Sequence, residues 1–87
     1  MNIEYIIDKI DQLSNKMRQH SAIQIYDNTK ANIEICLGVL EFEENKIKLE
    51  LAKMNVIITG FDLKLRNYNK NGIEINGRIH SIDFEEK

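Results

Sequence analysis

Apolar residues along this chain recur with two different periods, and the change from one to the other falls near residue 20. In the first part they recur every three or four positions, which places them on one face of an α-helix. This spacing predicts an amphipathic helix over residues 2–18, with Asn2 as its N-cap. The apolar stripe of the predicted helix consists of Ile3, Ile6, Ile10, Leu13 and Met17.

The apolar stripe of the predicted helix is the candidate interaction surface, and it has two interpretations. Its residues match the a and d positions of a little over two heptads, which is shorter than a typical coiled coil. The helix therefore either lies on the protein's own sheet, the interpretation that we favour, or forms a helix–helix seam between copies of the chain.

From residue 22 to residue 84, apolar and polar residues alternate, which is the pattern of β-strands with one buried face. Polar turns separate the runs at residues 27–30 and 43–46. Asn71-Gly72 suits a tight hairpin turn, because both residues accept positive φ angles. The predicted strands cover residues 22–26, 33–42, 47–51, 56–65 and 73–84, and a hairpin joins the last two.

The alternation changes phase near Gly38 and again at His80-Ser81, and a strand can absorb such a change only through a bulge or a bend. Within the strand at 56–65, Phe61 is expected to share a face with Leu63 and Leu65. Turns and bends are the structural roles expected of the glycines, which are Gly38, Gly60, Gly72 and Gly77.

These patterns predict a mainly β fold with one N-terminal α-helix. The sheet is expected to be curved and antiparallel, with about five to six strands in a half-barrel or barrel-like form, and a β-roll is the alternative. Without a linker or a low-complexity tract, residues 1–87 read as a single domain. A chain of this length buries only about 60% of its unfolded surface, so self-association would help to stabilise it.

The composition of the chain limits the kinds of molecule that the protein is expected to bind and the compartment in which it is expected to act. With 12 basic and 14 acidic residues the net charge is −2, so no nucleic acid is expected as a ligand. No apolar run approaches the ~20 residues that span a bilayer, and the start of the chain lacks the pattern of a signal peptide, so neither membrane insertion nor secretion is expected. One cysteine, Cys36, fits a reducing compartment, and we expect a cytoplasmic protein.

Candidate chemistry is sparse. His20 and His80 have no catalytic partner visible in the sequence, and Cys36 lies in an apolar strand where packing explains it. No catalytic, metal or cofactor site is expected, so the protein is predicted not to be an enzyme. A small oligomeric Sm-like RNA-binding or ligand-binding β-domain is the alternative function, with Arg66 and Arg78 in a weakly basic patch.

Three segments, at residues 38–42, 57–65 and 73–84, resemble the YabP/YqfC family of bacterial sporulation proteins. That family has a glycine that opens a strand of the form G-[VIL]-L-x-[FY], and it closes on I-x-[IVL]-x-G-x-I-x-x-I-x-[FY]. The chain differs at residues 35–37, where many members carry a polar Asn-His-basic triplet, and at Met54, where a glycine is common. The closing motif is matched by Ile73, Ile75, Gly77, Ile79, Ile82 and Phe84.

The resemblance implies a non-enzymatic protein made during endospore formation. It would act as a structural module in assembly of the spore envelope, either coat or cortex, through protein–protein contacts. The implied partners are copies of the chain itself or a sporulation membrane protein. The implied location is the cytoplasm of the mother cell or the surface of the developing spore.

Overall fold

A computed structural model describes residues 20–69 and 72–87 of the chain. Within these residues, six strands form one antiparallel sheet in the order β1-β2-β6-β5-β4-β3, and no helix is present. The predicted helix at residues 2–18 lies outside the described part. The strands are β1 (Ala22–Tyr26), β2 (Lys30–Glu34), β3 (Cys36–Glu43), β4 (Lys46–Leu51), β5 (Met54–Asn69) and β6 (Gly72–Glu86).

The two longest strands, β5 and β6, divide the sheet into two halves. Of the residues in β5, only 55–59 pair with β4. Of the residues in β6, only 72–76 pair with β2. We call the first part the β4 half, which contains β3, β4 and residues 54–60 and 79–86 of the long strands. The second part is the β2 half, which contains β1, β2 and residues 61–69 and 72–78 of the long strands.

The ladder between β5 and β6 is irregular at its centre, where the two halves meet. β6 has one extra residue, His80, which has no counterpart in β5. β5 then has one extra residue opposite Gly77, and Asp62 at that point has a φ angle of 52°. Such bulges bend a strand and increase its twist. The phase change predicted at His80-Ser81 is therefore confirmed.

The tips of two hairpins bind to this irregular region. Carbonyls in the turn between β3 and β4, which belongs to the β4 half, accept hydrogen bonds from the N–H groups of Gly60 and Leu63. Carbonyls in the turn between β1 and β2, which belongs to the β2 half, accept hydrogen bonds from the N–H groups of Gly77 and Ile79. The turns thereby satisfy backbone donors at the point where the flanking ladders end. Both halves share one plan, a hairpin packed along the first part of a long strand.

Close backbone contact explains two glycines at the junction of the halves. A Cβ atom on Gly60 would lie 1.9 Å from a carbonyl oxygen of β6, and one on Gly77 would lie 2.6 Å from a carbonyl oxygen of β5. Gly77 also has a φ angle of 139°, which side-chain-bearing residues rarely adopt. Gly72, which opens β6, has a φ angle of 151°, and its Cβ would lie 2.2 Å from a carbonyl oxygen of β2. By contrast, Gly38 lies between two register shifts of β3 in open space.

The core lies between the two halves. Eleven apolar residues of the described chain are at most 7% exposed, and they form one cluster that draws on both halves. A flat sheet of one layer leaves both faces in water, so this burial requires the sheet to bend and cover its own apolar face. The cluster consists of Ala31, Ile33, Ile47, Leu49, Leu51, Val56, Ile58, Leu63, Ile73, Ile75 and Ile79.

The predicted curvature does not lead to closure. β1 and β3 lie at opposite ends of the strand order and do not pair with each other, so the sheet is open and the barrel form of the prediction is wrong. The alternative, a β-roll, is also wrong, because a β-roll is built from parallel strands and all five strand pairs are antiparallel. The predicted antiparallel sheet of five to six strands is confirmed, with six.

The run at residues 33–42, predicted as one bent strand, is two strands with different neighbours. β2 ends at Glu34 and pairs with β6, whereas β3 begins at Cys36 and pairs with β4. Ile35 between them lies at a bend and has a φ angle of 58°, which is unusual for a β-branched residue. The break at Ile35 is therefore additional to the phase change predicted near Gly38, which the register shifts on either side of Gly38 confirm.

Phe61 is the residue whose predicted face is wrong. It pairs with Arg78 on the outer side of the sheet and is 54% exposed, whereas Leu63 is buried in the core. The bulge at Asp62 reverses the alternation between these two positions, because one extra residue transfers every following side chain to the other face.

Candidate interaction surfaces at the strand edges

The residues proposed from the sequence as an interaction surface are not among those that the structure describes. Ile3, Ile6, Ile10, Leu13 and Met17 precede residue 20, so the stripe stays a prediction. The structure does show where the described chain begins, which is beside an apolar cleft. The following surfaces come from the described residues alone.

An apolar cleft opens between the two halves at the start of β1. Its volume is about 280 Å³, and its walls come from β1 on one side and from β4, β5 and β6 on the other. Ser21 bridges its rim, since its hydroxyl donates to the Ile35 carbonyl at 2.9 Å and accepts from the Ala52 N–H at 3.1 Å. The residues lining the cleft are His20, Ser21, Ile23, Leu51, Lys53, Met54 and Phe84.

Large apolar side chains are exposed along strands that pair on one side only. β1 and β3 are the two ends of the sheet, and the second parts of β5 and β6 extend beyond the strands that flank their first parts. Among the described residues, every exposed large hydrophobic side chain lies on one of these four edges. They are Ile25, Tyr26, Leu37, Leu40, Phe42, Phe61, Tyr68 and Phe84.

The β3 edge is irregular. Its register against β4 shifts twice, so that Leu37 and Leu40 are extra residues with no counterpart in β4. Both are about half exposed, at 50% and 48%. Glu41 forms an ion pair with Lys46 at 3.1 Å, which adds charge to the same edge. Bulges and charges are features by which natural sheets prevent another strand from pairing.

The edges formed by the second parts of β5 and β6 are irregular as well. β5 contains two bulges, and Asp62 and Asn67 near them have φ angles of 52° and 54°. On β6, the extra residue His80 makes an edge-to-face ring contact with Phe61, with 4.8 Å between the ring centroids. Aromatic pairs of this geometry are stabilising, so this exposed pair reinforces the bend.

The β1 edge differs from the other three. Its five residues pair with β2 in an unbroken register, and none of them is charged. Four of the five are exposed, including Ile25 at 50% and Tyr26 at 48%. Lys30 of β2 lies over the Tyr26 ring, with its ammonium 5.0 Å from the centre of the ring. β1 is therefore a regular, uncharged edge.

The described residues offer little reactive chemistry. Cys36 packs against the core, as predicted, and its thiol donates to the Gly38 carbonyl at 3.3 Å. Burial raises the pKa of this thiol, which disfavours the reactive thiolate. His20 lines the cleft and His80 contacts Phe61, in separate places. In the described part of the chain, no three His, Cys, Asp or Glu residues converge as metal ligands do.

An ion pair on the outer face of the β4 half joins Lys48 to Glu85. Lys48 Nζ lies 2.8 Å from Glu85 Oε1, and Asn55 donates a hydrogen bond of 3.1 Å to the same oxygen. The hydrogen bond from Lys48 lowers the pKa of the Glu85 carboxyl and raises the pKa of the Lys48 ammonium. In the β2 half, a hydrogen bond from Asn76 is the main cause that lowers the pKa of Glu74.

The structure thus defines a class of protein, a small open β-domain whose unpaired strand edges carry its exposed apolar side chains. In a comparison with protein families, residues 17–87 match the YabP family, and the chain belongs to this family, whose members are associated with sporulation. Comparisons with curated proteins and with solved structures found no match. In residues 20–69 and 72–87, no helix is long and apolar enough to span a membrane.

Proposed function

We propose that the protein is a non-enzymatic assembly module of the spore envelope, either coat or cortex, that acts by binding other protein chains. Membership of a sporulation-associated family supports the setting. The observation that carries the mode of action is the distribution of exposed apolar side chains, all of which, within the described residues, lie on strand edges. Such edges bind a further strand through backbone hydrogen bonds and take specificity from alternate side chains.

The proposed partners are a second copy of the chain or a membrane protein of the same developmental programme. The proposed location is the cytoplasm of the mother cell or the surface of the developing spore. The N-terminal stripe from Ile3 to Met17 is part of this proposal, because the described chain begins at His20, which lines an apolar cleft. The stripe would either cover that cleft or bind another chain.

The spore phenotype tests this function. In a spore-forming host, the gene is deleted and then restored either as the wild type or as a variant with Ile25→Ser and Tyr26→Ser, two exposed residues of the β1 edge. We expect the deletion to yield spores with a defective envelope and reduced heat resistance, and the variant to restore them poorly. Thr59→Ala on the outer face serves as the matched control and should restore them fully. Normal spores from the deletion strain would reject the proposed function.

A binding measurement separates this proposal from the RNA-binding alternative. We expect the full chain to show no binding of single-stranded RNA at low ionic strength, the condition under which attraction to phosphates is strongest. If the RNA binds, and Arg66→Gln and Arg78→Gln weaken that binding, then the alternative replaces the assembly role.

A further inference from the structure

We infer that two copies of the chain associate through β1, with the two β1 strands antiparallel about a two-fold axis at Gln24. This inference rests on the proposed function and names the surface and the partner for it. The pairing would join the two open sheets into one continuous sheet. Three features of the described residues support this pairing, namely the regularity of β1, its lack of charge and the pattern of its side chains.

Regularity distinguishes β1 from the other edges. An incoming strand needs a run of evenly spaced N–H and C=O groups, and bulges interrupt such a run. β3 has two register shifts, and the exposed parts of β5 and β6 contain the remaining bulges of the sheet. Only β1, among the edges that the structure describes, keeps one register along its whole length of five residues.

The lack of charge makes β1 compatible with itself. In a two-fold antiparallel pair, a residue on the axis lies opposite its own copy and residues equally far to either side of it lie opposite each other, so a charge on the axis or like charges flanking it would repel. The other edges carry such charges, for example Glu41 and Glu43 on β3 and Lys64 on β5. β1 has the sequence Ala-Ile-Gln-Ile-Tyr, which has no charge to oppose.

The side chains of β1 also complement one another across the proposed axis. Ile23 and Ile25 lie on the core side, because they pair with the buried residues Ile33 and Ala31 of β2. A two-fold axis at Gln24 places Ile23 of one copy opposite Ile25 of the other, which extends the apolar face of both sheets. On the outer side, Gln24 meets its own copy. Its amide oxygen accepts a hydrogen bond from the Tyr26 hydroxyl at 3.3 Å, and its amide N–H groups can donate to the amide oxygen of the other copy, which has a second lone pair.

A charge-swap experiment at Gln24 tests this pairing in the full chain. The dissociation constant of the dimer is measured by sedimentation equilibrium for Gln24→Glu, for Gln24→Lys and for their equimolar mixture. We expect each variant alone to dimerise roughly fivefold more weakly than the wild type, since like charges would face each other. The mixture should form a heterodimer roughly tenfold tighter than either variant alone. Gln24 is exposed, so neither variant should unfold the protein.

Asn45→Glu and Asn45→Lys provide matched controls. Asn45 is an exposed turn residue in the other half of the sheet, and these variants make charge changes of the same sign and size. We expect their dimer dissociation constants to match the wild-type value. If they weaken the dimer as much as the Gln24 variants do, net charge rather than the β1 contact explains the effect, and the inference is wrong.

Hydrogen exchange locates the interface independently. We expect the amides of β1 to exchange more slowly as the protein concentration rises through the dissociation constant, while the amides of β3 stay unchanged. A chain that is monomeric at every accessible concentration would overturn the inference, as would a dimer whose β1 amides do not respond. Neither result bears on the spore phenotype, so the proposed function could stand with another surface or with a strand from a different protein as its partner.

Discussion

The two halves of the sheet are built alike and differ mainly at their outer edges. Each consists of a hairpin packed along the first part of a long strand, with the hairpin tip bonded to the bulged junction. In the β4 half the edge strand is bulged, charged and irregular, whereas in the β2 half it is short, regular and uncharged. The shared plan explains the common core, and the difference indicates which edge is protected from pairing and which is available.

The junction between the halves should be the most sensitive point of the fold. We expect Gly60→Ala to lower the free energy of unfolding by about 4 kcal/mol or more, or to prevent cooperative folding. The reason is that the new Cβ would lie 1.9 Å from a backbone carbonyl oxygen of β6, and backbone cannot move aside as a side chain can. Urea unfolding followed by circular dichroism measures the change.

Gly38→Ala is the matched control for this prediction. No atom lies within 4 Å of the Cβ position on Gly38, so the same substitution should change the stability by less than about 1 kcal/mol. If both variants were equally destabilised, a general preference for glycine in bent strands would explain the effect. The close contact at the junction would then have no special role.

Removal of core side chains should show that both halves depend on one core. We expect Leu49→Ala in the β4 half and Leu63→Ala in the β2 half each to cost about 2 to 5 kcal/mol, because both residues are at most 2% exposed. A single cooperative transition should persist in both variants. Two separate transitions would show instead that the halves unfold independently.

Leu40→Ala provides the control for these core variants. Leu40 is 48% exposed on the bulged β3 edge, so its truncation should change the stability by about 0.5 kcal/mol or less. Because all three variants replace a leucine with alanine, any difference between their losses of stability reflects the burial of the side chain. A large loss of stability at Leu40 would mean that the β3 edge is covered in solution, contrary to its description as an unpaired edge.

Much of the fold could be predicted from the sequence because strand burial is a local property. The alternation at Ile47, Leu49 and Leu51 places three residues on the core side, and all three are buried. What could not be predicted is which strands pair, since that depends on contacts between distant segments. The positive φ angle of Ile35 has no local signal, because β-branched residues rarely adopt it, and it sends β2 and β3 to different neighbours.

The candidate surfaces were harder to predict for the same reason. The exposure of Leu37 and Leu40 follows from bulges against β4, and that of Phe61 follows from the bulge at Asp62. A local signal existed in the adjacent apolar pairs of β3, such as Val39-Leu40, which an alternating strand cannot bury on one face. The edge role of β1, by contrast, depends on the strand order of the whole sheet.

The smallest expected effect concerns the ion pair between Lys48 and Glu85, which joins β4 to β6 in the β4 half. We expect Lys48→Met and Glu85→Gln each to lower the melting temperature slightly at neutral pH. The melting temperature of the double variant should be no lower than that of either single variant, because both substitutions remove the same interaction. Additive losses would mean that the two side chains do not depend on each other.

The pH dependence of this ion pair sharpens the prediction. Because the pKa of Glu85 is lowered in the folded protein, its contribution is present above the ordinary carboxyl pKa and is lost as the pH falls through the folded value. The raised pKa of Lys48 means that its contribution is lost only as the pH rises through its own folded value. The difference in melting temperature between the wild type and Glu85→Gln should therefore be greatest near neutral pH and disappear in acid.

Since the pair is solvent-exposed, added salt should reduce the same difference. Lys46→Met, which removes the neighbouring ion pair with Glu41, should reduce this acid dependence only slightly, because the charge of Lys46 is the smallest of the causes that lower the pKa of Glu85.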